Sequence, residues 1–423
     1  MPIELKLSMN TLKAIAFEIG TPYQLYDEKL ILENLTKFLK HMSTNFINFR
    51  QYFAVKALPN PHILKLLYKN GCLLDCSSLN ELKLAESLGI KGEEIMFTSN
   101  YTSKEDLEYA SKLECIINLD DISILKDLVA INIPNIICFR LNPGIGKTNS
   151  ETKSNILGGK DAKFGIPPFQ IVEAYKLAKS YNIKRFGIHM MSGSNITDLN
   201  YWKELIEILF ENINNIYKET LIEFEFINIG GGIGIPYRED EKEINLHDFS
   251  RILKSSIVSM EEKYSIKCPK LYMENGRYIT GPYGWLVSKC NVIKNTYEKY
   301  YGLDACMSNL MRPGMYGAYH YISIVGKEKD IQKYKANVVG TLCENNDWFA
   351  KAIELPEGEI GDLFVIHDTG AHSHSMGFQY NGKLRAPELL IKENSSIELI
   401  RRREIFEDYV ATISDNITIL PFV

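Results

Sequence analysis

QYFAVKALPN, residues 51–60, sets a short apolar run, Tyr52 to Val55, directly against Lys56 and closes on Pro-Asn-Pro at 59–61. An apolar run of this length bounded by a turn reads as a strand. A lysine at its exit has two readings. Its stem can lie along the strand while the ammonium reaches water. Alternatively, the amine is kept partly desolvated, so that it is neutral and able to form an imine with a carbonyl. The rest of the chain decides between them.

Working outward, seven more β-rich runs follow: CLLDCSS (72–78), IMFTSN (95–100), IINLDD (116–121), IICFRLNP (136–143), RFGIHMM (185–191), FEFINIGG (224–231) and LYMENGR (271–277). Helix-like stretches separate most of them. Ser78 and Glu81 make a capping box before LKLAESLG, which ends on Gly89. Further helices are predicted over 104–112, 169–180, 202–217 and 247–264. Strands alternating with helices imply a parallel sheet, and eight such units imply an α/β fold closed as a (β/α)8 TIM-type barrel. A doubly wound open sheet is the structural alternative. After about residue 280 the pattern changes. GWLVSKCNVI, KANVVGTLC, DLFVIHDTG and SIELIRRRE are strand-like without long helices between them, which predicts a C-terminal, mainly β domain. TPYQLYD near the start is also strand-like, so the N-terminal strand is expected to join that domain. The expected division is 1–26 with the β domain, 27–280 as the barrel and 281–423 as the C-terminal β domain.

The chain has 423 residues, 45% hydrophobic and 24% charged, with net charge −5. These values are ordinary for a soluble globular protein. With no basic stripe, nucleic acid is not an expected partner. No apolar run approaches a membrane span, and MPIELKLSMN lacks a signal-peptide pattern, so no membrane association is expected. The eight cysteines are scattered with no CxxC pair or metal-type cluster, which fits free thiols in a cytoplasmic protein. His372 and His374 stand close together but outside an HExxH context, and no metal is expected.

Function in a barrel of this kind sits at the carboxyl ends of the strands. Those ends read Lys56, Asp75 with Ser77, Asn100, Asp120, Arg140, His189, a triple glycine, then Glu274 and Arg277. Such a convergence is a reaction-site inventory. In NIGGGIGIPY (228–237), Gly230, Gly231 and Gly232 follow a strand directly, and glycines let backbone N–H groups approach an anion. Arg277 can neutralise the same phosphate with a fork of donors. A carboxylate such as Glu274 keeps a pyridine nitrogen protonated and therefore an electron sink. A lysine, a phosphate loop and a carboxylate on one rim together point to pyridoxal 5′-phosphate. The glycines are not arranged as GxGxxG at a first strand, so a nicotinamide site is not indicated.

Seven ordered segments carry a family resemblance over nearly the whole chain: FAVKA, GCLLDCSSLNEL, GGGIGIPY, ENGRYITGPYG, MSNLMRPGMYGAYH, TLCENND and FQYNGKLRAPE. The chain resembles the alanine-racemase-fold (fold type III) pyridoxal-phosphate decarboxylases, and within them the diaminopimelate decarboxylases. The resemblance implies that Lys56 carries the cofactor covalently and that Glu274 pairs with its pyridine nitrogen. It implies that Gly231, Gly232, Arg277 and Tyr380 bind phosphate, with Asp75, Arg140, His189 and Ser194 completing the cofactor set. Arg312 and Tyr316 would hold a substrate carboxylate, with Arg277 and Tyr380 also reaching substrate. Cys343 would be the proton donor and Glu344 would read the far amino group. In this family those last two come from the other subunit, so a homodimer with shared active sites is implied.

The implied reaction is decarboxylation of meso-2,6-diaminopimelate to L-lysine and CO2. A small-molecule amino acid is the expected partner. The closest alternatives keep the chemistry and change the substrate, to ornithine, lysine, arginine or a carrier-bound acyl amino acid. Another is a non-catalytic regulator on the same fold. One segment departs from the family pattern His-x-His-x-Gly-Ser: in HMMSGSN, His189 is present but Met191 stands in the second histidine position. Methionine packs on a ring through sulfur and carries no charge, so either His189 or Met191 covers the cofactor ring. His372 stands where the family commonly has tyrosine.

Overall fold

The computed structural model describes residues 3–148, 156–267 and 269–413; Cys268, one of the eight cysteines, lies outside them. Eight strands run in chain order around a closed barrel: β1 (Arg50–Ala54), β2 (Leu73–Cys76), β3 (Ile95–Thr98), β4 (Ile116–Leu119), β5 (Ile136–Leu141), β6 (Arg185–Met190), β7 (Phe226–Asn228) and β8 (Lys270–Met273). Each is parallel to the next, and β8 returns to β1 through Tyr272 opposite Arg50 and Met273 opposite Gln51. These are the eight runs expected from sequence, with ends shifted by a few residues. Closure excludes the open doubly wound sheet.

Side chains alternate across a strand, and this alternation builds two layers inside the barrel. Tyr52, Leu73, Met96, Ile116, Cys138, Phe226 and Tyr272 pack together in the lower interior, with the Phe226 and Tyr272 rings stacked at 4.5 Å. Gly187 is required here, because a Cβ would lie 2.0 Å from the Phe226 ring. Two residues further along the same strands stand Ala54, Asp75, Thr98, Asn118, Arg140, His189, Asn228 and Glu274. The outward positions, among them Phe53, Leu74, Phe97, Ile117, Phe139 and Ile188, join the large core under the helices.

The helices Pro61–Lys69, Leu79–Ser87, Lys104–Lys112, Ile124–Ile131, Pro168–Ser180, Leu199–Thr220 and Leu246–Tyr264 link successive strands. Glu28–Asn45, which precedes β1, takes the eighth place in the ring; its Asn34 amide donates to the carbonyls of Tyr278 (2.6 Å) and Ile279 (3.2 Å). The expected capping box is shifted by one residue. Ser78 Oγ accepts from Glu81 N–H, but the Glu81 carboxylate accepts from the N–H and hydroxyl of Ser77.

The C-terminal part is a separate nine-stranded sheet. Its long strand Gly284–Asn295 pairs antiparallel with Tyr23–Asp27, which in turn pairs in parallel with Glu388–Ile391. The N-terminal strand therefore belongs to this sheet. Two apolar clusters hold it, one around Tyr301, Phe349 and Phe364 and one around Tyr23, Trp285 and Leu389. Unread in the sequence was the helix Met9–Ile19, capped by Ser8. Leu12 of this helix is buried and Ile15, Ala16 and Ile19 pack partly buried beside it, a stripe at helical spacing, while Phe17 is largely exposed.

Candidate active site

The upper interior layer opens into a cavity of about 280 Å³ at the carboxyl ends of the strands. Lys56, Asp75, Arg140, His189, Ser194, Gly231, Gly232, Glu274 and Arg277 line it from the barrel. Arg312, Tyr316, His372 and Met376 line it from the C-terminal part. β1 ends at Ala54 and the chain turns through a short 3-10 segment, Val55–Ala57, which lifts Lys56 onto the rim. The expectation of a desolvated amine is corrected here. Lys56 is exposed into the open cavity, with its charge acting on Asp75, Glu81 and Glu274.

Two buried carboxyls share this space and are driven apart. Burial pushes Glu274 up, but the His189 imidazole, Lys56 and the Asn228 amide outweigh it and hold the carboxyl below its ordinary value. Glu274 Oε2 lies 2.9 Å from His189 Nε2, and Oε1 accepts from Asn228 at 2.6 Å. Asp75 is raised well above its ordinary value, first by burial and then by the Glu274 charge. The charged form is thus favoured at Glu274 and disfavoured at Asp75. Asp75 Oδ1 and His189 Nδ1 are buried without a hydrogen-bond partner. Arg140, buried, reaches Asn100 Oδ1 at 3.2 Å and Asp120 Oδ1 at 3.9 Å, with its guanidinium 4.5 Å above the Phe164 ring.

The triple glycine is dictated by close approach. A Cβ on Gly231 would lie 2.2 Å from the Glu274 carbonyl oxygen, and Gly232 has φ +99°. Arg277 stands beside this loop and donates Nη2 to Ser194 Oγ at 3.3 Å. These features fit pyridoxal phosphate: a cradle with no room for side chains beside an arginine, unpartnered polar atoms below, and an ionised carboxylate at the base. Met191, in the departing segment, turns its sulfur to the Gly231 N–H at 3.3 Å. The imidazole of His189 is tied to Glu274 instead.

Three expected residues do not line this cavity. Cys343 and Glu344 are exposed, with the Cys343 N–H donating to Asn381 Oδ1 at 2.7 Å. Tyr380, half-exposed, sits on the same turn as Asn381. Conversely, Asn228, Tyr237 and His320 contact site residues without having been singled out. Asn228 was legible, since it precedes the triple glycine on the inward phase of β7. Tyr237 and His320 close the segments GGGIGIPY and MSNLMRPGMYGAYH but were given no role there.

A barrel that presents a lysine, a glycine cradle with an arginine, and an ionised carboxylate on one rim is a pyridoxal-phosphate enzyme of the barrel type. Residues 32–281 match the family "Pyridoxal-dependent decarboxylase, pyridoxal binding domain". The chain is 34% identical to the diaminopimelate decarboxylase of Methanothermobacter thermautotrophicus, over 93% of this chain and 92% of that one. It is 42% identical to Protein TabA of Pseudomonas amygdali pv. tabaci, over 93% and 91%. The M. jannaschii diaminopimelate decarboxylase in complex with L-lysine superposes with a TM-score of 0.86 at 29% identity, covering 96% of this chain and 94% of that one. The chain belongs to the diaminopimelate decarboxylase family of pyridoxal-dependent decarboxylases.

Proposed function

We propose that the chain removes one carboxylate from meso-2,6-diaminopimelate to give L-lysine and CO2, as a cytoplasmic homodimer. The observation that carries the substrate is Arg312. It is buried at 3% exposure on the cavity wall, and its hydrogen bonds go to Tyr237 and His320 rather than to a carboxylate. A buried guanidinium without a carboxylate partner calls for an anion, and diaminopimelate carries a second carboxylate that its product's other amino-acid relatives lack. The relatives named diaminopimelate decarboxylase and the lysine-bound structure support the same substrate.

Bound pyridoxal phosphate supplies an electron sink for the pair left when CO2 departs. The protein's residues do the rest. Lys56 would hold the cofactor. Glu274, whose charged form is favoured by His189 and Asn228, would pair with the pyridine nitrogen. Gly231, Gly232, Ser194 and Arg277 would hold the phosphate, with Tyr380 assigned there on resemblance alone. Asp75, Arg140, His189 and Met191 would complete the cofactor site, and Arg312 with Tyr316 would orient the substrate carboxylate. Cys343 returns a proton to carbon and Glu344 reads the far amino group. Both are exposed and outside the cavity of their own chain, which supports delivery by a second copy.

We take residues 27–280 as the barrel domain and 1–26 with 281–423 as the β domain. Among the described residues no cysteine is in a disulfide and no helix is long and apolar enough to cross a membrane. Assay of CO2 release across diaminopimelate, lysine, ornithine and arginine tests the proposal. Preference for any of the last three would overturn the substrate and leave the decarboxylase class standing.

A further inference from the structure

Two of the three arginines that line the cavity, Arg277 and Arg312, come from different parts of the fold, yet they converge on one atom. Arg277 Nη1 donates to Tyr237 Oη at 2.5 Å, and Arg312 Nη1 donates to the same oxygen at 2.9 Å. A phenol oxygen has two acceptor positions and one hydrogen. Both acceptor positions of Tyr237 are therefore taken by like charges.

Arg312 Nη1 has a second acceptor, Nε2 of His320, at 2.8 Å. A guanidinium only donates, so Nε2 carries no hydrogen and Nδ1 does. That hydrogen goes to the His367 carbonyl at 2.8 Å. His320 is buried, and burial followed by the Arg312 charge holds its pKa well below the ordinary value, so it remains a neutral acceptor. Both Nη1 hydrogens of Arg312 are thus committed to the protein, while Nε and Nη2 bond no described residue. His320 has no such contact with Arg277.

Two guanidiniums held this close repel each other. Burial, then Arg277, pulls Arg312 down to about 10. Arg312 acts in turn on the Asp368 carboxyl, which burial pushes up to about 7. A tyrosine serving the core alone would not need to gather two like charges.

We propose that Tyr237 is a positioning residue that clamps Arg277 and Arg312 together as one receptor for two anions, the cofactor phosphate and a substrate carboxylate, and that His320 orients Arg312 alone. The proposal rests on the assignment of Arg277 to phosphate and Arg312 to substrate made above. It predicts an asymmetry that a purely structural role would not produce.

The test titrates pyridoxal phosphate, and separately pyridoxal without phosphate, into apo-protein by absorbance and fluorescence. It also measures KM and kcat for meso-diaminopimelate at saturating cofactor. Tyr237→Phe should raise both the cofactor Kd and the substrate KM about tenfold, the scale of a lost hydrogen bond to a charged group. Pyridoxal affinity should be unchanged. His320→Phe should raise KM alone, and His320→Gln, whose amide oxygen can take the place of Nε2, should restore it. If Tyr237→Phe moves neither constant, or only one, while Arg277→Met raises the cofactor Kd and Arg312→Met raises KM, the shared clamp is wrong. If the two arginine variants themselves leave those constants unmoved, the underlying assignment fails instead.

Discussion

Lys56 is the residue proposed to hold the cofactor, and its placement follows from strand phase. The inward positions of β1 run Tyr52, Ala54, then Lys56 on the following turn, so the lysine leaves the barrel interior at the cavity floor. Borohydride reduction of the yellow protein should fix the cofactor to the Lys56 peptide by mass spectrometry, and Lys56→Ala should lose the covalent label. A label on any other lysine would remove the basis of the site. Arg312 is the residue proposed to hold the second carboxylate of the substrate. Arg312→Met keeps bulk and removes the charge, so it should lower kcat/KM for meso-diaminopimelate by about tenfold to 150-fold, the span of a charge-assisted hydrogen bond. Any activity on ornithine or lysine should fall far less, since neither has the second carboxylate. An equal loss on all substrates would make Arg312 a structural residue. Both positions were legible as sequence, Lys56 from its strand and Arg312 from resemblance. Tyr237 and His320 lie in two of the resemblance segments, but their part in the site was not legible until the fold brought them against Arg312.

At the scale of the element, each strand divides into a lower half for stability and an upper half for chemistry. The lower rim carries an ion-pair group. Arg185 at the start of β6 bonds Glu225 through Nε (2.7 Å) and Nη2 (2.9 Å) and Glu93 through Nη1 (2.5 Å), and Lys270 at the start of β8 reaches Glu225 at 3.2 Å. Arg185 foremost, with Lys270, lowers the Glu225 pKa from 4.5 to about 2. A depressed carboxyl stabilises the fold above its unfolded pKa and loses that contribution as pH falls through its folded one. Glu225→Gln should therefore cost roughly 1–2 kcal/mol at neutral pH, allowing for partial solvent exposure. The gap to wild type should narrow as pH drops from about 4.5 toward 2, followed by urea unfolding. Turnover should be unchanged, because this rim lies at the end opposite the cavity. A large loss of kcat in this variant would contradict the division of each strand. The eight strands were readable because short, fully buried parallel strands are continuous apolar runs. The helix Met9–Ile19 went unread although Leu12, Ile15, Ala16 and Ile19 recur at helical spacing and pack on the β-domain core.

At the scale of the whole molecule, no cysteine lines the described cavity. Cys343 is exposed elsewhere. If a second copy delivers it, mixing Lys56→Ala with Cys343→Ala protein should restore activity through hybrid dimers. About a quarter of all sites would then carry both intact residues at random pairing. No recovery under demonstrated subunit exchange would place the thiol outside catalysis or within its own chain's site. The order of elements, the barrel, the β domain and the rim residues were all written in the chain, because strand period, helix caps and strand-end chemistry are local properties. Three features needed the tertiary structure. The pKa values of Asp75 and Glu274 shift in opposite directions because both are buried in one space beside different partners. Lys56 faces an open cavity rather than an apolar pocket. Arg277 and Arg312 share the Tyr237 hydroxyl although 35 residues separate them in the chain. Each depends on distances between groups remote in sequence, and burial and electrostatic coupling are set by those distances and not by any local pattern.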